Sequence, residues 1–168
     1  MGGKTLSMPD EPTFLDAGVF IGALLQGDPR HREARPLVDA ARRGEWPTCT
    51  SAGILSEVYA ALTWVGALPP HSPAEASRAV AVLVAPPSAI HVLEDGLGVS
   101  LLTLRLAAEH TLTARRIHDA RHAATALHAG VSRVYTYDPG DWQAFAANGI
   151  AVVGPPSILS SPSSSTAP

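Results

Sequence analysis

The sequence predicts an α/β domain built on a parallel sheet, and two observations carry that prediction. Short apolar runs alternate with longer stretches of helical period from about residue 12 to residue 153. That alternation is the pattern of parallel strands joined by helical crossovers. At 168 residues, the chain suits one domain with a single sizeable core. Hydrophobic residues make up 46% and aromatic residues 5%. Much of the apolar content is Ala, Val and Leu, so the core is expected to rest on small side chains and close helix packing. No internal repeat is visible.

The elements follow in order. A strand near 12–16 leads into a helix over about 17–26. Asp28 is a ready N-cap and Pro29 suits the first helical position, so a second helix is expected from there to Gly44. Pro36 inside it removes a hydrogen-bond donor and is expected to bend or split it. WPTCT (46–50) reads as a strand, and 51–65 as a helix ended by GALPP. Ser72 caps a helix over 72–85, and AIHVL (89–93) is a strand. Helices are expected over 95–110 and 116–129, the second closed by Gly130. VSRVYTYD (131–138) holds a strand, 141–149 a short helix capped by Asp141, and IAVV (150–153) a last strand. Residues 1–11 read as a flexible leader, and 154–168, rich in Pro and Ser, as a disordered tail.

Composition excludes several classes. The net charge of −3 offers no global attraction to nucleic acid, so any such contact needs a local patch. Cys49 is the only cysteine, which rules out an internal disulfide framework and a cysteine zinc cluster. Residues 1–12 lack the apolar core of a signal peptide, and the longest apolar stretch (79–93) is broken by Pro86-Pro87. A cytoplasmic protein with no membrane partner is therefore expected. The only lysine, Lys4, stands in the leader. A P-loop, which needs a lysine at its end, is thus excluded. The phosphoacceptor reading of an aspartate is weakened for the same lack of lysine.

Ligand sites in an open parallel sheet form beyond the carboxyl ends of the strands. Asp16 ends the first expected strand and Asp138 the fourth. Glu57 sits at the edge of an apolar stripe of Ile54, Val58, Ala61, Leu62 and Val65. Asp119 opens a helix on the small-residue face that it shares with Ala123, Ala126, Leu127 and Gly130. Each acid alone has an ordinary structural role. Asp16 can cap a helix, Glu57 can pair at a surface, Asp119 favours a helix start, and Asp138 before Pro-Gly suits a turn. Together they point elsewhere. Two carboxylates about 4 Å apart repel by roughly 4 kcal/mol at an effective dielectric of 20. Four in one pocket need a cation, and oxygen donors favour Mg²⁺ or Mn²⁺.

FLDAGVFI, LSEVYAAL, IHDARHAATALHAG and VYTYDPGDWQAF resemble, in order and spacing, the four acidic motifs of PIN-domain nucleases. The length is similar to that of the VapC toxins of type II toxin–antitoxin modules. The resemblance runs from about residue 12 to residue 153. It implies a three-layer α/β/α fold around a parallel sheet of four to five strands. It further implies an Mg²⁺- or Mn²⁺-dependent endoribonuclease acting on tRNA or rRNA, a homodimer, and a cognate antitoxin that covers the site. By motif position, Asp16, Glu57, Asp119 and Asp138 form the catalytic quartet, with Asp16, Asp119 and Asp138 as metal ligands. Asp141 is an auxiliary acid and Thr136 a hydroxyl near the pocket. Where the family often has a hydroxyl or amide after the first aspartate, this chain has Ala17-Gly18. Gly18 would let its backbone approach a phosphate.

Metal held by these acids, with Glu57 direct or through water, would activate water for in-line attack on a phosphodiester. Either Glu57 or Asp138 can take the proton. Asp16→Asn or Asp119→Asn is expected to abolish cleavage and leave the fold intact or more stable. Basic charge gathers in two segments: five arginines against three acids over 28–43, and five against two over 105–133. Arg115 and Arg116, just before the third motif, are the expected phosphate contacts. His118 and His122 are spaced i, i+4, but no Glu lies between them and no third ligand has zinc spacing. They are expected on the helix surface near the pocket. Three alternatives remain: a PIN-like nuclease outside any toxin module, a non-catalytic PIN-like module binding RNA or protein, and a plain α/β domain with scattered acids.

Overall fold

The structure is a computed structural model in which residues 11–160 are described. Five strands form one sheet: β1 (Thr13–Leu15), β2 (Thr48–Ser51), β3 (His91–Leu93), β4 (Arg133–Tyr135) and β5 (Ala151–Gly154). Their order is β3-β2-β1-β4-β5, and every pairing is parallel. The chain runs outward one way from β1 through β2 to β3, then crosses to β4 and β5 on the other side. The order therefore reverses between β1 and β4, where open α/β sheets bind ligands. At that point Asp16 N donates to the Tyr135 carbonyl at 3.0 Å, tying the two strand ends together.

Among the described residues, eight helices flank the sheet: α1 (Ala17–Leu24), α2 (His31–Arg42), α3 (Ala52–Thr63), α4 (Pro73–Val84), α5 (Leu97–Glu109), α6 (Ile117–His128), α7 (Pro139–Gln143) and α8 (Pro156–Ser160). Helix α1 packs on α2 and α3, α3 on α4, and α5 on α6. The largest wholly buried side chains are Phe14, Phe20 and Phe145, and Ala120, Ala123, Ala124 and Ala126 of α6 are buried with them. Small residues on α6 let it approach its neighbours closely, as the Ala-rich composition implies. Cys49 is buried in β2, and burial pushes its thiol up to about 12.

Several expectations change at element ends. Helix α2 starts at His31, not at Pro29. Asp28 caps no helix: its carboxylate accepts from Arg30 N at 2.8 Å and grips the Arg30 guanidinium. Pro36 neither ends nor splits α2, which runs unbroken over twelve residues. Helix α3 ends at Thr63, leaving Val65 87% exposed and outside the stripe assigned to it. Helix α4 has the expected Ser72 cap, made reciprocal by Glu75. Asp141 is no N-cap, because α7 already begins at Pro139 and a 3-10 turn follows over Ala144–Asn148.

The expected tail boundary also moves. Residues 154–160 complete β5 and form α8, where Ser157 donates twice to the Glu33 carboxylate of α2. The low-complexity composition concealed this tie. Residues 161–168 and the leader residues 1–10 lie outside the described residues. Glu11 is held, its carboxylate accepting from Ser132 N at 3.1 Å.

Candidate active site

Asp16 follows β1 and begins α1. One carboxylate oxygen, Oδ1, accepts from Ala17 N at 2.8 Å, so Asp16 does cap its helix. The other, Oδ2, accepts from the Thr136 hydroxyl at 2.7 Å and from Trp142 Nε1 at 3.0 Å. Three donors explain how an apolar run tolerates this acid. A carboxylate has about four lone-pair sites, so capacity for one more partner remains. Thr136, wholly buried, also accepts from Asp138 N at 2.9 Å. It lies beneath the cleft and links Asp16 to the backbone of Asp138.

The five sequence-assigned acids meet. Asp16, Glu57, Asp119, Asp138 and Asp141 all line one cleft of about 240 Å³ beyond the ends of β1 and β4. The Asp119 carboxyl is pushed up, first by burial and then by Asp141, against the pull of Arg116. The Asp138 carboxyl is pushed up by burial, then by Asp16 and Asp141, with Arg30 opposing. Crowded, partly buried carboxylates thus make ionisation costly.

Glu57 projects from α3 into the same cleft, its Oε1 2.6 Å from His122 Nε2. His122 is 5% exposed, which corrects its reading as a surface residue. Its Nδ1 stands 3.4 Å from the Ser51 hydroxyl, which caps α3 by accepting from Ile54 N. All three contacts are satisfied if Nε2–H donates to Glu57 and the Ser51 hydroxyl donates to Nδ1. Helical periodicity could not have revealed this, because the ring reaches across to a helix 65 residues away in sequence. His118 is exposed and lines a neighbouring cleft.

Of the two arginines expected to bind phosphate, Arg116 pairs with a cleft acid. Neither Arg115 nor Arg116 lines the cleft, and Arg116 Nε lies 3.5 Å from Asp119. The cleft's arginine is Arg30. Asp28 holds its Nε and Nη2 at 2.8 and 2.6 Å, and its guanidinium lies 5.3 Å from the centre of the Tyr137 ring. A Cβ on Gly18 would come within 3.1 Å of Arg30 Nη1 and 3.7 Å of Asp138 Oδ2. Glycine there keeps the space between guanidinium and carboxylate open. The arginine-rich segment 28–43 was visible in the sequence, but the turn that swings Arg30 back to the cleft was not. Trp142 was visible only as an aromatic beside an acid.

The donors are hard carboxylate oxygens under mutual repulsion, a set suited to a divalent cation. Among the described residues no three His, Cys, Asp or Glu side chains already stand close enough to form a ready coordination shell. Binding would have to draw the carboxylates inward.

A family model for the PIN domain matches residues 13–147. The chain belongs to the PIN-domain family. Among solved structures, it is similar to VapC20 of Mycobacterium tuberculosis, described as a sarcin-ricin loop cleaving toxin. The two are 21% identical with a TM-score of 0.63, over 85% of this chain and 99% of that one. A toxin–antitoxin complex from Klebsiella pneumoniae is 20% identical with a TM-score of 0.54, over 83% and 96%. At these identities the likeness is one of PIN fold. No curated protein matches.

Proposed function

We propose that this PIN domain is an endoribonuclease that hydrolyses RNA phosphodiesters with a divalent cation, Mg²⁺ or Mn²⁺, and acts as the toxin of a VapBC-type module. The observation that carries this reading is the convergence of five carboxylates and one arginine in a single cleft at the sheet's switch point. Membership of the PIN family supports nuclease chemistry. Of the two expected substrate classes, tRNA and rRNA, a neighbour described as cleaving the sarcin-ricin loop supports rRNA. A neighbour solved as a toxin–antitoxin complex supports a cognate antitoxin.

In this reading Asp16, Asp119 and Asp138 hold the cation, with Glu57 and Asp141 completing the acidic wall. When bound, the cation neutralises charge on the phosphate and acidifies water for attack. The protein's own share is orientation and proton transfer. Trp142 and Thr136 fix Asp16. His122 fixes Glu57, which can take the proton from attacking water. Arg30, which lines the cleft, presents charge to the phosphate there, with Arg115 and Arg116 as further RNA contacts outside the cleft lining. No helix among the described residues is long and apolar enough to cross a membrane. The same reading includes a homodimer, for which the exposed leucines of α5, Leu97, Leu101 and Leu104, offer an apolar face.

The test is cleavage of total cellular RNA by the purified protein with Mg²⁺, with Mn²⁺ and with EDTA, beside Asp119→Asn. Discrete fragments are expected with metal alone and none from the variant. Equal cleavage by Asp119→Asn, or cleavage undiminished in EDTA, would sink the proposal. Metal binding with no turnover would favour a non-catalytic module.

A further inference from the structure

A second cleft opens beside the carboxylates and shares Ile21 and Arg30 with the first. It measures about 450 Å³, within the range of pockets that take small organic groups. Its walls are mostly apolar: Leu25 just after α1, Ala61 of α3, and Trp64 and Leu68 from the loop after α3. Two glycines build it. Gly27 N donates to the Leu68 carbonyl at 3.0 Å, and a Cβ at Gly27 would meet Leu68 Cβ at 2.7 Å. The loop can therefore close on the turn only because residue 27 is glycine. The Trp64 indole lies over Gly66, where a Cβ would collide with the ring. So seated, Trp64 remains 65% exposed and Leu68 62%.

An exposed aromatic on a cleft wall, next to a guanidinium, is the equipment with which proteins hold unpaired bases. We propose that this cleft is a base-binding subsite for the single-stranded nucleotide adjoining the scissile phosphate, its base stacked on Trp64. The inference rests on the nuclease reading and adds where the substrate's base goes. Continuity decides the occupant. Asp28 holds Nε and Nη2 of Arg30, and Nη1 has no hydrogen-bond partner among the described residues. Nη1 faces Gly18 and the carboxylate cleft, so a phosphate there leaves the attached nucleoside at the mouth of the apolar cleft. The cleft's charged groups, Asp28 and Arg30, are already bonded to each other. Base edges thus find few partners, and stacking area rather than hydrogen-bond reading sets the preference. Purines are favoured over pyrimidines.

The experiment measures binding of short oligoribonucleotides to the full chain carrying Asp119→Asn, with Mg²⁺ present, by affinity and tryptophan fluorescence. The probes are oligo(A), oligo(U) and an oligo(A) of the same length made abasic. Oligo(A) is expected to bind tighter than oligo(U) and to quench the indole. Trp64→Ala should weaken oligo(A) binding roughly tenfold or more, while Trp64→Phe retains most of it. The abasic probe should bind protein with and without Trp64→Ala alike. Unchanged oligo(A) affinity in Trp64→Ala, or an equal loss for the abasic probe, overturns the subsite. If wild-type protein still cleaves total RNA in that case, the nuclease reading survives alone. Failure to bind or cut any RNA sinks both. A Trp64→Ala variant that loses only a protein partner, with RNA binding intact, assigns the cleft to protein docking and overturns the inference.

Discussion

Two aspartates that look equivalent in the sequence behave differently as residues. The expectation from charge alone is that Asn at position 16 or 119 leaves the fold intact or more stable. Asp16, however, accepts from three donors through both of its oxygens. Asn has one acceptor oxygen and would turn its amide towards donors at the other side. Asp16→Asn should therefore lower stability by about 1–3 kcal/mol, the cost of unsatisfied buried donors. Asp119 has a partly exposed carboxylate whose pKa is raised by burial and Asp141. Removing its charge should raise stability by roughly 0.2–1 kcal/mol in EDTA. Thermal unfolding of both variants checks this; equal shifts would contradict it. The pH dependence has a defined sign. A raised carboxylate binds more protons folded than unfolded, so its ionisation costs stability as pH rises from about 4 through the raised value. The advantage of Asp119→Asn should be absent below about pH 4, grow above it, and then level off. Asp28 runs the opposite way. The Arg30 hydrogen bond holds its carboxyl low, so its contribution is present above the ordinary Asp range and fades as pH falls through the depressed value. Mg²⁺ should erase the Asp119→Asn advantage, since the ion binds only the wild-type cluster well. The acids were legible in the sequence because an acid inside an apolar pattern needs a reason. Arg30 was not, because its place depends on a turn whose shape is set by its own contact with Asp28.

At the scale of elements, the sequence carried strand and helix identity well and their ends less well. Helical and alternating periods placed all five strands, yet α2, α3 and α7 begin or end where side chains compete for backbone groups. Asp28 is taken by Arg30, and α8 arises in a Pro/Ser segment because Glu33 of α2 offers it two acceptor sites. The pairing of α3 with α6 was the least legible. It hangs on His122, whose ring sits 3.1 Å from where a Cβ of Gly53 would be. A glycine in the first turn of α3 costs helix stability, about 1 kcal/mol relative to Ala, but makes room for that ring. His122→Phe fills similar space while releasing Glu57. If Glu57 takes the proton in RNA cleavage, this variant should lower kcat by roughly 10²–10⁴, with KM little changed. A fall in KM-dependent binding alone, or no kinetic effect, would mean that the imidazole serves only packing. Gly53→Ala should act in the same direction more weakly, by crowding the ring.

For the whole molecule, the acidic site and the surface must be reconciled with a polyanionic substrate. A net charge of −3 repels RNA at long range. Attraction has to come from Arg30 at the cleft, from the exposed Arg115, and from bound cations. Dimerisation would matter here, since a two-fold assembly doubles whatever local patch one copy offers. The face proposed for it is on α5. One side of that helix packs on α6 with Val99, Leu106 and Ala107 buried, while Leu97, Leu101 and Leu104 are 76%, 58% and 63% exposed. These leucines recur at i, i+4 and i+7, one above the other on the outer face. A two-fold axis beside such a stripe sets it against its own copy, the commonest arrangement among homo-oligomers. No acid or arginine of the carboxylate cleft lies on α5, so the interface and the site can be separated by mutation. Leu101→Glu would put two like charges into a leucine interface. It should convert a dimer to a monomer in sedimentation at micromolar concentration, with little change in the thermal unfolding of the monomer. A dimer that persists in Leu101→Glu would mean that this stripe meets something else. Loss of folding together with the dimer would mean that neither protomer is stable alone. In that case Leu97→Ser, at the exposed first turn, separates the two effects, because it trims the stripe without introducing charge.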